Sequence, residues 1–168
     1  MKQLFDINFL LPIGILLIQA FILLAICIYV LRKMGVISLP LGGMEYSQAI
    51  FAAVCLISLF FIFTSIISAT FQACATYNAQ NLPVLKSLVG KSGQFFLVLL
   101  LFEALLGAIV FLATRVLLGI GNFMEELNNG NIPFSIFAAA ITIGFSIMLQ
   151  HMSKEAIELI TPRYLNFR

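Results

Sequence analysis

Charge is what this chain has least of. Nine Lys or Arg and seven Asp or Glu among 168 residues make 10% charged, where a soluble domain carries about 25%. So few charges cannot cover a water-facing surface. With 62% of residues hydrophobic, lipid must be the solvent for much of the chain. The net charge of +2, with basic residues that form no stripe, excludes direct nucleic-acid binding. Histidine occurs once, at His151. A single imidazole makes no metal site, and the helix predicted around it stops at Met152 without an acidic partner, so no Ser/His/Asp set is assembled. Cysteine is sparse and unpatterned: Cys27, Cys55 and Cys74 have no CxxC spacing and apolar neighbours, as small buried hydrophobes kept reduced do. Gly42-Gly43 marks a turn, since no Lys-Ser/Thr pair follows as in a phosphate loop. No Asn-x-Ser/Thr sequon occurs, which is compatible with a bacterial membrane. The first apolar run is too long for a cleavable signal peptide and no small-residue cleavage site follows it.

Long apolar runs are what remain. A membrane-spanning helix needs about 20 largely apolar residues, and four stretches qualify, at about 9–31, 48–76, 94–120 and 133–152. The second continues weakly to Tyr77 and is expected to extend into water. Pro133 suits a first helical turn and Asn131 a cap before it. The connections are short and rich in turn residues: Leu39-Pro40-Leu41-Gly42-Gly43 with Glu45 and Ser47, then Asn78 to Gly93, then Gly121 to Asn131. None has room for a soluble domain. The fold expected is all-α: residues 1–168 as one polytopic transmembrane domain of four helices, with cofactors absent.

The chain has the look of a duplication. Ile50-Phe51-Ala52-Ala53 returns as Ile136-Phe137-Ala138-Ala139, 86 positions later, and at the same offset Ile57 meets Ile143 and Phe9 meets Phe95. Each unit is a helix pair, so both units enter the membrane in one orientation, a parallel repeat. With the N-terminus inside, Lys2, Lys86, Lys91, Lys154, Arg163 and Arg168 lie inside and Arg32, Lys33 and Arg115 outside. The positive-inside rule favours that orientation, although Arg32 and Lys33 abut the first helix.

The third helix with Arg115, then Glu125-Glu126-Leu127-Asn128-Asn129-Gly130-Asn131, then small residues entering the fourth helix, resembles a bacterial inner-membrane family catalogued as domain of unknown function 350. The second unit, about Leu82 to Met152, carries the likeness; the first keeps Glu45 and the small residues and lacks the Asn step. The resemblance implies four helices in two tandem pairs, a multi-pass place in the cell inner membrane, and a role in envelope stress or defence. It implies no known activity.

Glu103 is the most informative residue. A charged carboxylate at its depth in the third helix costs on the order of 2.5–3.5 kcal/mol on insertion scales. It is therefore either an ion or proton site along a pathway, or a neutral acid hydrogen-bonded to a neighbouring helix. Gln19, in the first helix, falls opposite Leu105 at the repeat offset, which would let it meet Glu103; the favoured reading is a lone amide bonded to a backbone carbonyl. Gly107 beside Glu103, and Ala140-xxx-Gly144 in the fourth helix, form small-residue surfaces for helix packing, within the chain or between copies. Arg32, Lys33 and Arg115 are expected at lipid headgroups, Arg115 being too far along its helix to pair with Glu103. Two functions follow. One is a homo-oligomeric sensor or anchor without catalysis, partnered by the lipid bilayer and a soluble protein. The other is an oligomeric ion or proton channel using Glu103. An intramembrane enzyme is excluded for want of a nucleophile–base pair.

Overall fold

The structure, a computed structural model, describes residues 7–37, 44–80, 82–119 and 121–161, apart from the side chains of 7–9 and 118. Expectations placed on Lys2, the turn Leu39–Gly43, Asn81, Ile120, Pro162, Arg163, Tyr164 and Arg168 lie outside the described residues. Five helices follow one another: α1 (Ile7–Lys33), α2 (Tyr46–Ala79), α3 (Val84–Leu118), α4 (Phe123–Asn128) and α5 (Ile132–Ile160). No strand occurs among the described residues. All but α4 are long and apolar enough to cross a membrane. The protein is thus an all-α, multi-pass membrane protein.

Two helices end on the same backbone device. After α1, Gly35 takes φ +78°, Val36 N donates to Leu31 O at 2.9 Å and Gly35 N to Arg32 O at 3.0 Å. After α4, Gly130 takes φ +71°, with Asn131 N donating to Glu126 O at 3.2 Å. This paired bonding around a left-handed glycine uses carbonyls that a helix end leaves orphaned. Val36 and Leu31 are both buried, the apolar contact that accompanies the motif. Asn131 then opens α5, its Oδ1 accepting from Phe134 N at 3.0 Å, with Pro133 in the first turn.

Two boundaries differ most from those expected, and one connection holds an additional helix. α3 begins at Val84, not Gln94. Lys86, Gly90 and Lys91 give this stretch a loop-like composition. Yet Leu88, Ser92, Phe95 and Leu99 form a buried stripe at helical spacing that continues into the span. α5 runs to Ile160, past Met152: Ser153 and Ile157 extend the buried stripe begun at Leu149, while Lys154 and Glu158 pair outside it at 3.9 Å. The third connection holds α4, a helix too short for periodicity to reveal. Its Phe123 and Leu127 are buried one turn apart.

Packing is organised around α2, which touches every other helix and pairs most extensively with α5. Both bury small residues, Ser58, Ser65, Ala69 and Ala73 on α2 and Ser135, Ala138, Thr142 and Ser146 on α5. Small side chains let two backbones approach, the main source of helix association where lipid removes the hydrophobic drive. α1 sits at the edge, against α2 and α3. At 1.5 Å per residue α2 and α3 are each roughly 50 Å long, against about 30 Å of hydrocarbon. Lys86, Lys154, Glu155 and Glu158 gather at the end of the bundle where α1 begins. There the end of α2, the start of α3 and the end of α5 bury Ala73, Leu88 and Ile157 at 0% exposure.

Candidate functional site

The site forms where α1 diverges from α3. Along α3, Leu100, Glu103, Ala104, Gly107 and Val110 recur at intervals of three and four and present one face. The last turns of α1 supply Cys27, Val30 and Leu31 opposite, and the first half of α2 supplies Phe51, Cys55 and Leu59. Phe123 of α4 closes one end. Its ring meets Phe51 edge-on at 5.1 Å and Phe134 edge-on at 5.1 Å. These walls enclose a cavity of about 540 Å³. Among its lining residues, Ile26, Val30 and Met34 of α1 and Phe111 of α3 are also exposed on the surface of the bundle.

Glu103 is the cavity's one acidic group. It is half-buried, and its Oε1 is enclosed with no hydrogen-bond partner. Thr142, the other hydroxyl or carboxyl in the wall, donates to Ala138 O at 2.7 Å. The thiols of Cys27 and Cys55 lie close enough to Glu103 to interact with it electrostatically. No three His, Cys, Asp or Glu groups gather to metal-binding distance among the described residues. A built ridge of small space runs beside the acid: a Cβ added at Gly107 meets nothing within 4 Å.

Gln19 is not part of this site. Its Nε2 donates to Ser92 O at 2.9 Å, joining residues 73 apart. Ser92 precedes Glu103 by three helical turns, roughly 16 Å along α3. Of the two readings of Gln19, the amide bonded to a backbone carbonyl is the one the structure has, and Gln19 does not meet Glu103. α1 packs on the first half of α3, and the buried amide takes the second lone pair of a backbone carbonyl. The helix-packing candidates are not packed within the chain: Gly107 lines the cavity, and Ala140 and Gly144 are exposed away from it, a Cβ at Gly144 meeting nothing within 4 Å. Within the chain their neighbours Ala138 and Ala139 do the packing. Arg32, Lys33 and Arg115 are exposed at one end of the bundle, and none makes an ion pair with another described residue. His151 has Glu155 one turn on in the same helix, since α5 continues past Met152.

A second polar constellation was not anticipated. Gln48 accepts from Glu45 N at 3.1 Å, donates to Asn128 Oδ1 at 2.8 Å and reaches Gly35 O at 3.4 Å. Ser47 Oγ donates to Leu127 O at 2.6 Å, and Asn131 Nδ2 to Glu126 Oε2 at 2.7 Å. This knot ties α4, and with it Phe123, to the entrance of α2. The signal available was a pair of amides, Gln48 and Asn128, each at a helix end.

Fold and site define a multi-pass membrane protein with an acid-bearing cavity between its helices. No protein-family model, no curated protein and no solved structure matches the chain.

Proposed function

We propose that this protein is a homo-oligomeric sensor or anchor of the bacterial inner membrane, without catalytic activity, that works with a soluble partner. The overhang of α2, α3 and α5 carries the reading. A bundle that only filled the bilayer would not need helices of roughly 50 Å, nor a core of Ala73, Leu88 and Ile157 beyond it. Outside this core stand Leu82, Leu85, Val89 and Leu159, the last 81% exposed, with Lys86 and Lys154 among them. Apolar anchors ringed by charge are the chemistry of a protein-binding surface. With the N-terminus inside, this surface faces the cytoplasm. The likeness of Glu125–Asn131 to the family of unknown function 350 supports the inner membrane and a role in envelope stress or defence.

The test is photocrosslinking in cells from p-benzoylphenylalanine placed at Leu85 or Leu159, with Leu101, exposed in the middle of α3, as the lipid-facing control. A discrete soluble adduct from Leu85 and Leu159, absent from Leu101, is expected. The same adducts from all three positions contradict the reading.

The second reading, an oligomeric ion or proton channel, is favoured by the enclosed and unpartnered Glu103 Oε1. It requires other copies of the chain to supply a polar wall, because the rest of this cavity's lining is apolar apart from the bonded Thr142.

A further inference from the structure

We infer that the cavity beside Glu103 is a binding site for a lipid-soluble amine: an apolar body carrying one basic nitrogen, entering from the bilayer between α1 and α3 and donating to the Glu103 carboxyl. This stands whether or not a soluble partner docks on the overhang, and its test is separate.

Size comes first. A volume of about 540 Å³ falls within the range of small-molecule sites, about 300–1,000 Å³. The wall has the composition of such sites, apolar side chains around one polar group that fixes orientation. The edge-packed Phe51 and Phe123 give the closed end a rigid shape.

Chemistry decides among occupants. An inorganic cation needs several oxygen ligands at once, and the wall offers one carboxyl. A lipid acyl chain satisfies the apolar wall and leaves Glu103 Oε1 unpartnered. An enclosed polar atom without a partner is costly, so a ligand that brings a donor recovers what a bare chain does not. A basic nitrogen does so best. It shares one proton with the carboxyl, and charge-assisted hydrogen bonds are roughly twice as strong as neutral ones. Ligand and site together carry no net charge, which suits a low-dielectric surrounding. The entrance agrees with this chemistry. Exposed Ile26, Val30 and Phe111 border it, so the ligand arrives by partitioning into lipid.

The experiment uses the full chain in phosphatidylcholine nanodiscs, photolabelled with 4-(aminomethyl)benzophenone and, separately, with 4-methylbenzophenone, which has the same body and no nitrogen. Sites of attachment are mapped by mass spectrometry. The amine should label residues lining the cavity on α1 and α3 about tenfold more than the methyl compound at equal membrane concentration, a difference of about 1.4 kcal/mol. Glu103→Leu should remove that preference. Gly107→Phe, which fills open space and leaves the carboxyl in place, should remove cavity labelling by both compounds and decides the matter if Glu103→Leu fails to fold. Equal labelling by amine and methyl compound identifies an acyl-chain pocket and overturns the proposal. So does amine labelling of Gly107→Phe at the parent's level, or labelling scattered evenly along the lipid-facing helices.

Discussion

Gln150 of α5 donates through Nε2 to Thr64 Oγ1 of α2 at 2.7 Å, across a sequence separation of 86. The two helices run parallel, so this bond puts residues at equal depth side by side. That is the register a tandem repeat with the offset of Ile50-Phe51-Ala52-Ala53 and Ile136-Phe137-Ala138-Ala139 requires. α1 and α3 keep a different register, with Gln19 against Ser92. The likeness between units is therefore strongest in their second helices.

The Thr64–Gln150 bond should be measurable as a coupling. In a double-mutant cycle of Thr64→Val and Gln150→Leu, followed by reversible unfolding in mixed micelles, the interaction is expected to be about 0.6 kcal/mol, the usual size for side-chain bonds between membrane helices. Strict additivity of the two substitutions would show that the bond contributes nothing.

The start of α5 depends on one side chain. Asn131→Ala removes the cap on Phe134 N and the bond to Glu126, and should cost about 1 kcal/mol of stability in thermal unfolding. Gly130→Ala should cost a similar 1–2 kcal/mol, roughly, because its φ of +71° places a Cβ against the following carbonyl. An Asn131→Ala variant as stable as the parent would mean that the Gln48 and Ser47 bonds hold α4 and α5 in place without it.

Assembly should run through the small residues that the protomer leaves exposed. The protein is expected to be a homo-oligomer in mild detergent, and Gly144→Leu, whose side chain meets open space within the chain, should dissociate it without unfolding it. Light scattering that finds the parent monomeric while folded contradicts this.

Topology follows from four crossings. Reporters fused at Lys2 and at Arg168 should fall in the same compartment. Opposite compartments would remove one of the four spans.

The four spans were legible because long apolar runs survive any ambiguity of local conformation, and the Asn131–Pro133 start of α5 was legible because capping is local chemistry. The start of α3 and the end of α5 were not. There Lys86, Gly90 and Lys154 resemble loop composition, and only a buried stripe, set by packing against α2, marks the helix. Glu103 stood out in sequence as an acid inside a span. Its cavity did not, since Cys27, Cys55 and Phe123 come from three other helices, and their convergence depends on α1 standing off from α3. Gln19 was legible as an amide bonded to a backbone carbonyl, but which carbonyl was not: repeat arithmetic assumes equal depth for α1 and α3, which the Ser92 bond shows they do not have. The Gln48 knot is a tertiary feature with no periodicity to betray it.

The central claim is that Glu103 is a ligand-holding group in a lipid-open cavity and not a step in an ion path. Ion flux across proteoliposomes tests it most directly, with the purified oligomer, a proton-sensitive dye inside and a potassium diffusion potential across the membrane. Proton and potassium leak should equal that of protein-free liposomes, for the parent and for Glu103→Gln alike. A protein-dependent flux that Glu103→Gln abolishes, while the oligomer keeps its mass, would contradict the account and establish the channel in its place.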